Sequence, residues 1–429
     1  MSTASIPAPP RAVHTTIDSC RACAAAPLVD LHAFGALPLA NALRPGDAGH
    51  GATSHGDAGE RRVPLTLALC PSCSLLQLRE TVDPEVLFAD YRYFSSYAAT
   101  TLAYAEELAA SLCARLQLGP QHRAVEVASN DGYLLRPFQS RGLGVLGIEP
   151  AANVAAVARE HGVPTDVRFF GRDSAAELRR QHGPCDLLLA NNVLAHVADL
   201  PGFVAGMRTM LAPTGTVVCE FPYVGDLLAH GEFDTIYHEH LCYFSLAAVQ
   251  RLFAAHGLFV TDVQRLARHG GSLRVFASPQ RPPAPAAAVL ALLHDEAALG
   301  LHRPASYRAF VAGIARTRML LQQELRALHA AGKTVAAYGA SAKGSTLMMS
   351  CGVTHEQIAF VADKSPHKQG RRTPGNHVPI VPTSEILQRM PDVLLLLTWN
   401  FADEILAQEA EYRRRGGRFL LPVPEVRYL

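Results

Sequence analysis

Two cysteine pairs, "CRAC" (Cys20, Cys23) and "CPSC" (Cys70, Cys73), constrain this chain more than any other feature. Each pair is short enough to set both thiolates on one ion, and four such ligands suit the tetrahedral coordination of structural zinc. Any fold must then bring residue 20 beside residue 73. The 46 residues between the pairs exceed the spacing of an ordinary zinc ribbon. The Gly-rich stretch "RPGDAGHGATSHGDAGERR" at 44–62 accounts for the excess as a surface loop with incidental histidines. A closed four-cysteine site keeps no open position, so the metal is expected to hold the fold and do no chemistry. The competing reading is two redox or unliganded pairs. Nine cysteines, an odd count, argue against a disulfide framework and for a reducing compartment.

At 429 residues the chain is long enough for about three domains. Its 39 basic and 38 acidic residues nearly cancel, which leaves no electrostatic footprint for nucleic acid or an anionic membrane. The longest apolar run, "DVLLLLTW" at 392–399, fits a buried strand and not a membrane span. The start "MSTASIPAPPRAV" has no apolar core of a secretory signal, so the expected location is cytoplasmic. Nothing in the pattern specifies an oligomeric state. Composition breaks near residue 88 and at "SPQRPPAPAAA" (278–288) divide the chain into units 1–88, 89–277 and 278–429.

The central unit alternates short apolar strands with helices, the pattern of a doubly wound parallel sheet. "HRAVEVASNDGYLLRPF" (122–138) reads as strand, tight turn and helix, with Glu126 on the strand and Ala128, Ser129, Asn130, Asp131 and Gly132 at the turn. Small residues there let a ligand approach the backbone, and the helix start offers N–H donors. The next strand, "GLGVLGIEP", ends in Glu149, where an acid commonly holds a ribose diol. A strand ending in Asn191 and Asn192 follows, and then "GTVVCEFPYV". Last come two strand runs in "GLFVTDVQRLARHGGSLRVFAS". A parallel sheet finished by a reversed strand suits an S-adenosylmethionine methyltransferase better than a dehydrogenase. The turn "ANNVLAH" lacks an (N/D)PPY sequence, which argues against amino-group methylation of adenine or glutamine.

With "YRYFSSYAATT", "NNVLAHVADL", "EFPYVGDLL…EFDTIYHEHLCYFSL", "YGASAKGSTLM" and "ADKSPHKQGRRTPGNHVPI" added in order, the chain resembles the sugar C-methyltransferases of antibiotic deoxysugar biosynthesis. Those enzymes act on nucleotide-linked 4-ketohexoses. The resemblance spans nearly the whole chain. It implies an α/β protein with an N-terminal zinc-binding domain, a central class I (Rossmann-like) methyltransferase sheet and a C-terminal Rossmann-like substrate-binding domain. The implied small molecules are S-adenosylmethionine and a dTDP-linked 4-keto-deoxyhexose, methylated at C-3.

Carbon methylation beside a ketone needs a base for the α-proton, donors for the enolate oxygen, and in-line approach to the methyl. In "YHEHLCYF" the expected base is His240, with Glu239 for orientation or sugar contact and Tyr237 as donor to the oxygen. Spacing alone leaves open which of His238 and His240 takes the proton, and it also allows a buried structural network. A metal clip fits poorly, because "HEH" lacks the i,i+4 spacing of helical zinc ligands. His196 is expected on the lip where the methyl donor lies. The resemblance adds Tyr91 as a site-lining residue, and Tyr93 and Ser95 less strongly. In the C-terminal unit, "KTVAAYGASAKGSTLMM" places Ser341 and Lys343 at a helix start, where they suit a diphosphate. The alternative there is a degenerate nucleotide-binding half kept as scaffold. Methylation of oxygen or nitrogen in another small molecule stays open at this level.

Overall fold

The computed structural model describes residues 14–46, 60–88, 94–97 and 99–429, so Tyr91, Tyr93 and most of the Gly-rich stretch lie outside the described residues. The central sheet has seven strands: β1 Arg123–Val127, β2 Gly144–Ile148, β3 Thr165–Asp166, β4 Cys185–Asn191, β5 Leu211–Pro222, β6 Phe259–Leu266 and β7 Ser272–Ser278. Their spatial order is β3-β2-β1-β4-β5-β7-β6. Strands β1 to β5 run parallel, while β7 is antiparallel to both β5 and β6. The chain reverses its direction of winding between β1 and β4, and ligands of such sheets bind outside the carboxyl ends at that point.

The strands are apolar on both faces because helices cover both. Leu187, Leu189 and Val218 pack on one side with Leu108, Leu112 and Phe138. Leu188, Ala190, Val217 and Cys219 pack on the other with Phe203, Met207 and Leu252. The alternation follows the period of two that a strand imposes.

Four strands form the sheet of the cysteine unit, in the order Cys242–Tyr243, Leu76–Leu78, Arg62–Leu69, Val29–Pro38. One of them therefore comes from the middle of the chain, directly after the "HEH" run. The C-terminal sheet orders Ile380–Val381, Val361–Ala362, Val335–Tyr338, Val393–Leu396, Arg418–Leu421 and Arg427–Tyr428, antiparallel only at the last pair. A single apolar core runs through all three sheets, from Leu67 and Leu76 through Phe221, Tyr243 and Phe244 to Leu347 and Leu395. The units share a core instead of hanging on linkers.

Beside the end of β5 a buried ion pair fixes β5, β7 and the helix Ala99–Leu116. Arg274 donates to Glu220 Oε1 (2.6 Å), to the Tyr104 hydroxyl (2.6 Å) and to Gln264 (3.0 Å), and Tyr104 donates to Glu220 (2.6 Å). Removing one partner of a buried pair strands the other charge. Arg274→Met should therefore lower unfolding free energy by about 3 kcal/mol in urea titration. The double variant Glu220→Gln, Arg274→Met should recover part of that loss.

Candidate active site and zinc site

The four thiols meet. Cys20 Sγ lies 3.5 Å from Cys73 Sγ and Cys23 Sγ 3.6 Å from Cys70 Sγ, and all four sulfurs fall within 4.8 Å of one another. A tetrahedron of sulfurs around zinc at ~2.3 Å has edges of about 3.8 Å, so the set fits zinc. The two loops have the same form: Ala24 N–H donates to Cys20 O and Ser74 N–H to Cys70 O, each at 2.9 Å. Ala24 and Ser74 take positive φ, 58° and 66°. Cys20 Sγ also accepts from Gln77 Nε2 and Ala22 N. The Cys20–Cys73 hydrogen bond lowers the Cys20 thiol and raises that of Cys73, so without metal the pair holds one proton between them.

At the carboxyl ends of β1, β2 and β4 lies a second polar group. Ala128, Asn130 and Asn192 all adopt positive φ (54°, 51° and 55°), a strain that non-glycine residues carry mainly where a ligand or a tight turn demands it. Glu149 ties the turn after β1 to β2: it accepts from Asn130 N (3.0 Å) and Ala151 N (2.9 Å). Gly147 is required beside it, since a Cβ there would collide with Ser129. Asn130 and Asp131 in turn accept from the backbone of Ser95 (2.9 Å) and Ser96 (3.0 Å). Glu126 Oε2, Ser129 Oγ, Asp131 Oδ1 and Asn191 Oδ1 are buried and have no hydrogen-bond partner among the described residues. Burial, then the nearby Glu149 and Asp131, pushes Glu126 well above the usual carboxylate range. Unmet acceptors and acids that resist ionising call for a ligand bearing hydroxyls and positive charge. S-adenosylmethionine, with its ribose, ammonium and sulfonium, fits that demand.

The "HEH" run is divided among three tasks. His238 is buried, with Nε2 donating to the carbonyls of Val63 (3.0 Å) and Pro64 (3.2 Å) in the cysteine unit. Glu239 turns its carboxylate to Asn41, whose Nδ2 donates to both oxygens at 2.7 and 2.9 Å. Burial pushes Glu239 up to about 7, against the lowering effect of Asn41. His240 alone keeps some open surface. Its Nδ1 meets Thr235 O at 2.9 Å and its Nε2 meets the Tyr237 hydroxyl at 2.9 Å. A carbonyl only accepts, so Nδ1 carries the proton and Nε2 presents a lone pair to the Tyr237 O–H. The His196 ring stands edge-on to His240, centroids 4.8 Å apart. Desolvation holds His196 at about 4 and His240 well below its usual range, the latter also opposed by the Lys343 charge. Both imidazoles are neutral at physiological pH.

The C-terminal unit closes on the same segment. Lys343 Nζ lies 3.5 Å from Glu232 and 5.1 Å over the Trp399 ring, and Trp399 Nε1 donates to Asp234 at 2.6 Å. Ser341 caps its own helix by accepting from Gly344 N (3.0 Å). Sequence reasoning placed Lys343 at an anion; here its charge already answers Glu232 and Asp234. Asn41, Glu232, Asp234 and Trp399 were not anticipated as neighbours of the site. Asn41 gives no local signal, since it comes from 198 residues away.

Three family models match in order: a "zinc binding domain" over 20–88, a "Methyltransferase domain" over 101–263 and a "C-methyltransferase C-terminal domain" over 267–424. Together with the thiol cluster and the sheet, they define a zinc-binding, S-adenosylmethionine-dependent C-methyltransferase. The chain is 38% identical to the C-methyltransferase NovU of Streptomyces niveus over 419 residues, 96% of this chain and 97% of that protein, and it belongs to that family. The ubiquinone biosynthesis O-methyltransferase of Rhodopseudomonas palustris (strain BisA53) is 31% identical over 96 residues, 22% of this chain and 38% of its own. Among solved structures, magnesium protoporphyrin IX methyltransferase from Synechocystis PCC 6803 with bound SAH is 14% identical at a TM-score of 0.32, covering 41% of this chain and 82% of that one. Among the described residues, no helix is long and apolar enough to cross a membrane.

Burying Glu239 has a measurable cost. Between its ordinary 4.5 and about 7, the folded chain holds a proton that the unfolded chain releases. Its contribution to stability therefore falls as pH rises through that window. At ~1.4 kcal/mol per pH unit, Glu239→Gln should stabilise the fold by up to roughly 3 kcal/mol at pH 8 and add nothing near pH 4. Thermal unfolding at the two pH values measures this, and an equal effect at both would contradict it.

Proposed function

We propose that the enzyme methylates a carbon beside the ketone of a nucleotide-linked 4-keto-deoxyhexose, with C-3 the expected position and dTDP the expected nucleotide. The observation that carries this reading is the Tyr237–His240 pair, a phenol donating to a neutral imidazole whose tautomer Thr235 O fixes. A ketone acidifies its α-protons, and a neutral Nε2 lone pair is the group that removes one. The Tyr237 hydroxyl, released from Nε2, donates to the oxygen on which negative charge develops. Lys343, close enough to oppose charging of His240, favours that same enolate. His196 holds the edge of the imidazole and limits its rotation.

The turn after β1, with Glu126, Ser129, Asp131, Glu149, Asn191 and Asn192, would hold S-adenosylmethionine, which supplies an electrophilic methyl group. Ser341 and Lys343 border the sugar-nucleotide side. Four thiols gathered for one metal, with every described cysteine unpaired, support a reducing, cytoplasmic setting.

The test is a screen of nucleotide-linked 4-ketohexoses in D₂O, followed by carbon NMR. A C-4 ketone activates C-3 and C-5 alike, so the position of deuterium and of the new methyl assigns the carbon. Solvent exchange of the α-proton should fall on the order of 100-fold in His240→Ala and about 10-fold in Tyr237→Phe. Exchange in His240→Ala at the wild-type rate would remove His240 as the base.

A further inference from the structure

We infer that Asn41, contributed by the zinc-binding domain, is a positioning residue of the methyl-transfer site, acting through the carboxylate of Glu239. The inference rests on the reading of residues 237–240 as the reacting centre. Glu239 is 5% exposed, and Asn41 gives it hydrogen bonds on both oxygens. Burial and this amide are the two influences on its ionisation. The neighbouring titratable groups do not compensate it. His196 meets the backbone of Glu239 and is neutral, as are His238 and His240, all held so by desolvation. Lys343 is turned to Glu232 and Asp234.

Asn41 is delivered by the paired strands of the cysteine sheet. Strands Val29–Pro38 and Arg62–Leu69 pair antiparallel, with Val29 opposite Leu69 at one end and Ala36 and Leu37 opposite Pro64 and Val63 at the other. The first end adjoins Cys70. The second carries the two carbonyls that His238 grips, and three residues past Pro38 lies Asn41. A short turn fixes it, with Ala42 N–H on Leu39 O (3.0 Å) and Leu43 N–H on Asn41 O (2.8 Å). The zinc-side strand pair thus clamps the two residues immediately before His240. An amide can only donate through its nitrogen, so Nδ2 on a carboxylate favours the ionised form and one orientation of it. Truncating Asn41 leaves Glu239 buried without that partner, and such groups neutralise or move.

The experiment uses full-length, zinc-loaded protein carrying Asn41→Ala, Glu239→Gln or both. Asn41 is exposed in a turn away from the four thiols, so zinc content should stay at the wild-type value, as should the melting temperature near pH 4, where Glu239 is protonated with or without the amide. Infrared titration of ¹³C-glutamate-labelled protein, with Glu239→Gln to assign the band, reads the Glu239 carboxyl without any substrate. Asn41→Ala should move its midpoint upward by about one pH unit. With the nucleotide ketosugar, kcat in Asn41→Ala should fall on the order of 10-fold, with the acid limb of the pH–rate profile shifted the same way. The double variant should be no worse than Glu239→Gln alone. An unmoved midpoint, or losses that multiply in the double variant, overturns the role of Asn41. Impaired Glu239→Gln beside wild-type-like Asn41→Ala does the same and spares the reading of the centre. Wild-type turnover in Glu239→Gln overturns that reading, and the inference with it.

Discussion

The structure depends on satisfying one buried run of ionisable side chains, residues 232–240. An unpaired polar or charged group in such surroundings costs several kcal/mol, so each must find a partner, and no single unit of the chain supplies enough of them. Glu232 and Asp234 find Lys343 and Trp399 in the C-terminal unit. His238 and Glu239 find Val63, Pro64 and Asn41 in the cysteine unit. Cys242–Tyr243 then becomes an edge strand of the cysteine sheet, and Phe244 returns to the central unit by accepting from Val224 N. The segment is held from both sides, and His240 is the ionisable member left partly exposed.

Desolvation has opposite effects on acids and on imidazoles, and the buried groups of this protein show both. Glu126, Glu149, Glu232, Asp234 and Glu239 are all pushed upward by burial, while His196 and His240 are pushed down. Either shift favours the neutral form. For a base the low affinity of His240 for protons has a cost, since abstraction must be helped elsewhere. In the proposed mechanism that help falls to Tyr237, whose hydroxyl lies 2.9 Å from His240 Nε2.

The features legible in the sequence were those that act over a few residues. The CxxC pairs, the strand–turn–helix around Ser129 to Gly132 and the apolar strand at 392–399 all declare themselves through spacing or period. The reversed strand β7 could be read from its Gly-containing turn. What could not be read was produced by assembly. Asn41 is an exposed residue in a turn, and only the folded chain brings it to Glu239. A two-residue strand such as Cys242–Tyr243 is too short for any period to reveal. Lys343 carries the right charge for an anion, but its carboxylate partners come from more than a hundred residues upstream. The adjacency of Glu239 and His240 suggested that the acid either orients the base or contacts the sugar. Their side chains instead point to different partners, and the backbone carbonyl of Thr235 does the orienting.

This division gives the metal a larger part than holding a small domain together. Zinc would pin the two knuckles at one end of the strand pair, and the opposite end grips His238 and presents Asn41. Leu65, Leu67 and Leu69 anchor this sheet in the shared core, and a metal closing the two cysteine loops would remove chain freedom at its other end. If residues 237–240 are the reacting centre, as proposed, the placement of that sheet bears on the reacting geometry, because methyl transfer is sensitive to small misplacements. A four-thiolate site with no open position can therefore govern chemistry at a distance while never touching substrate.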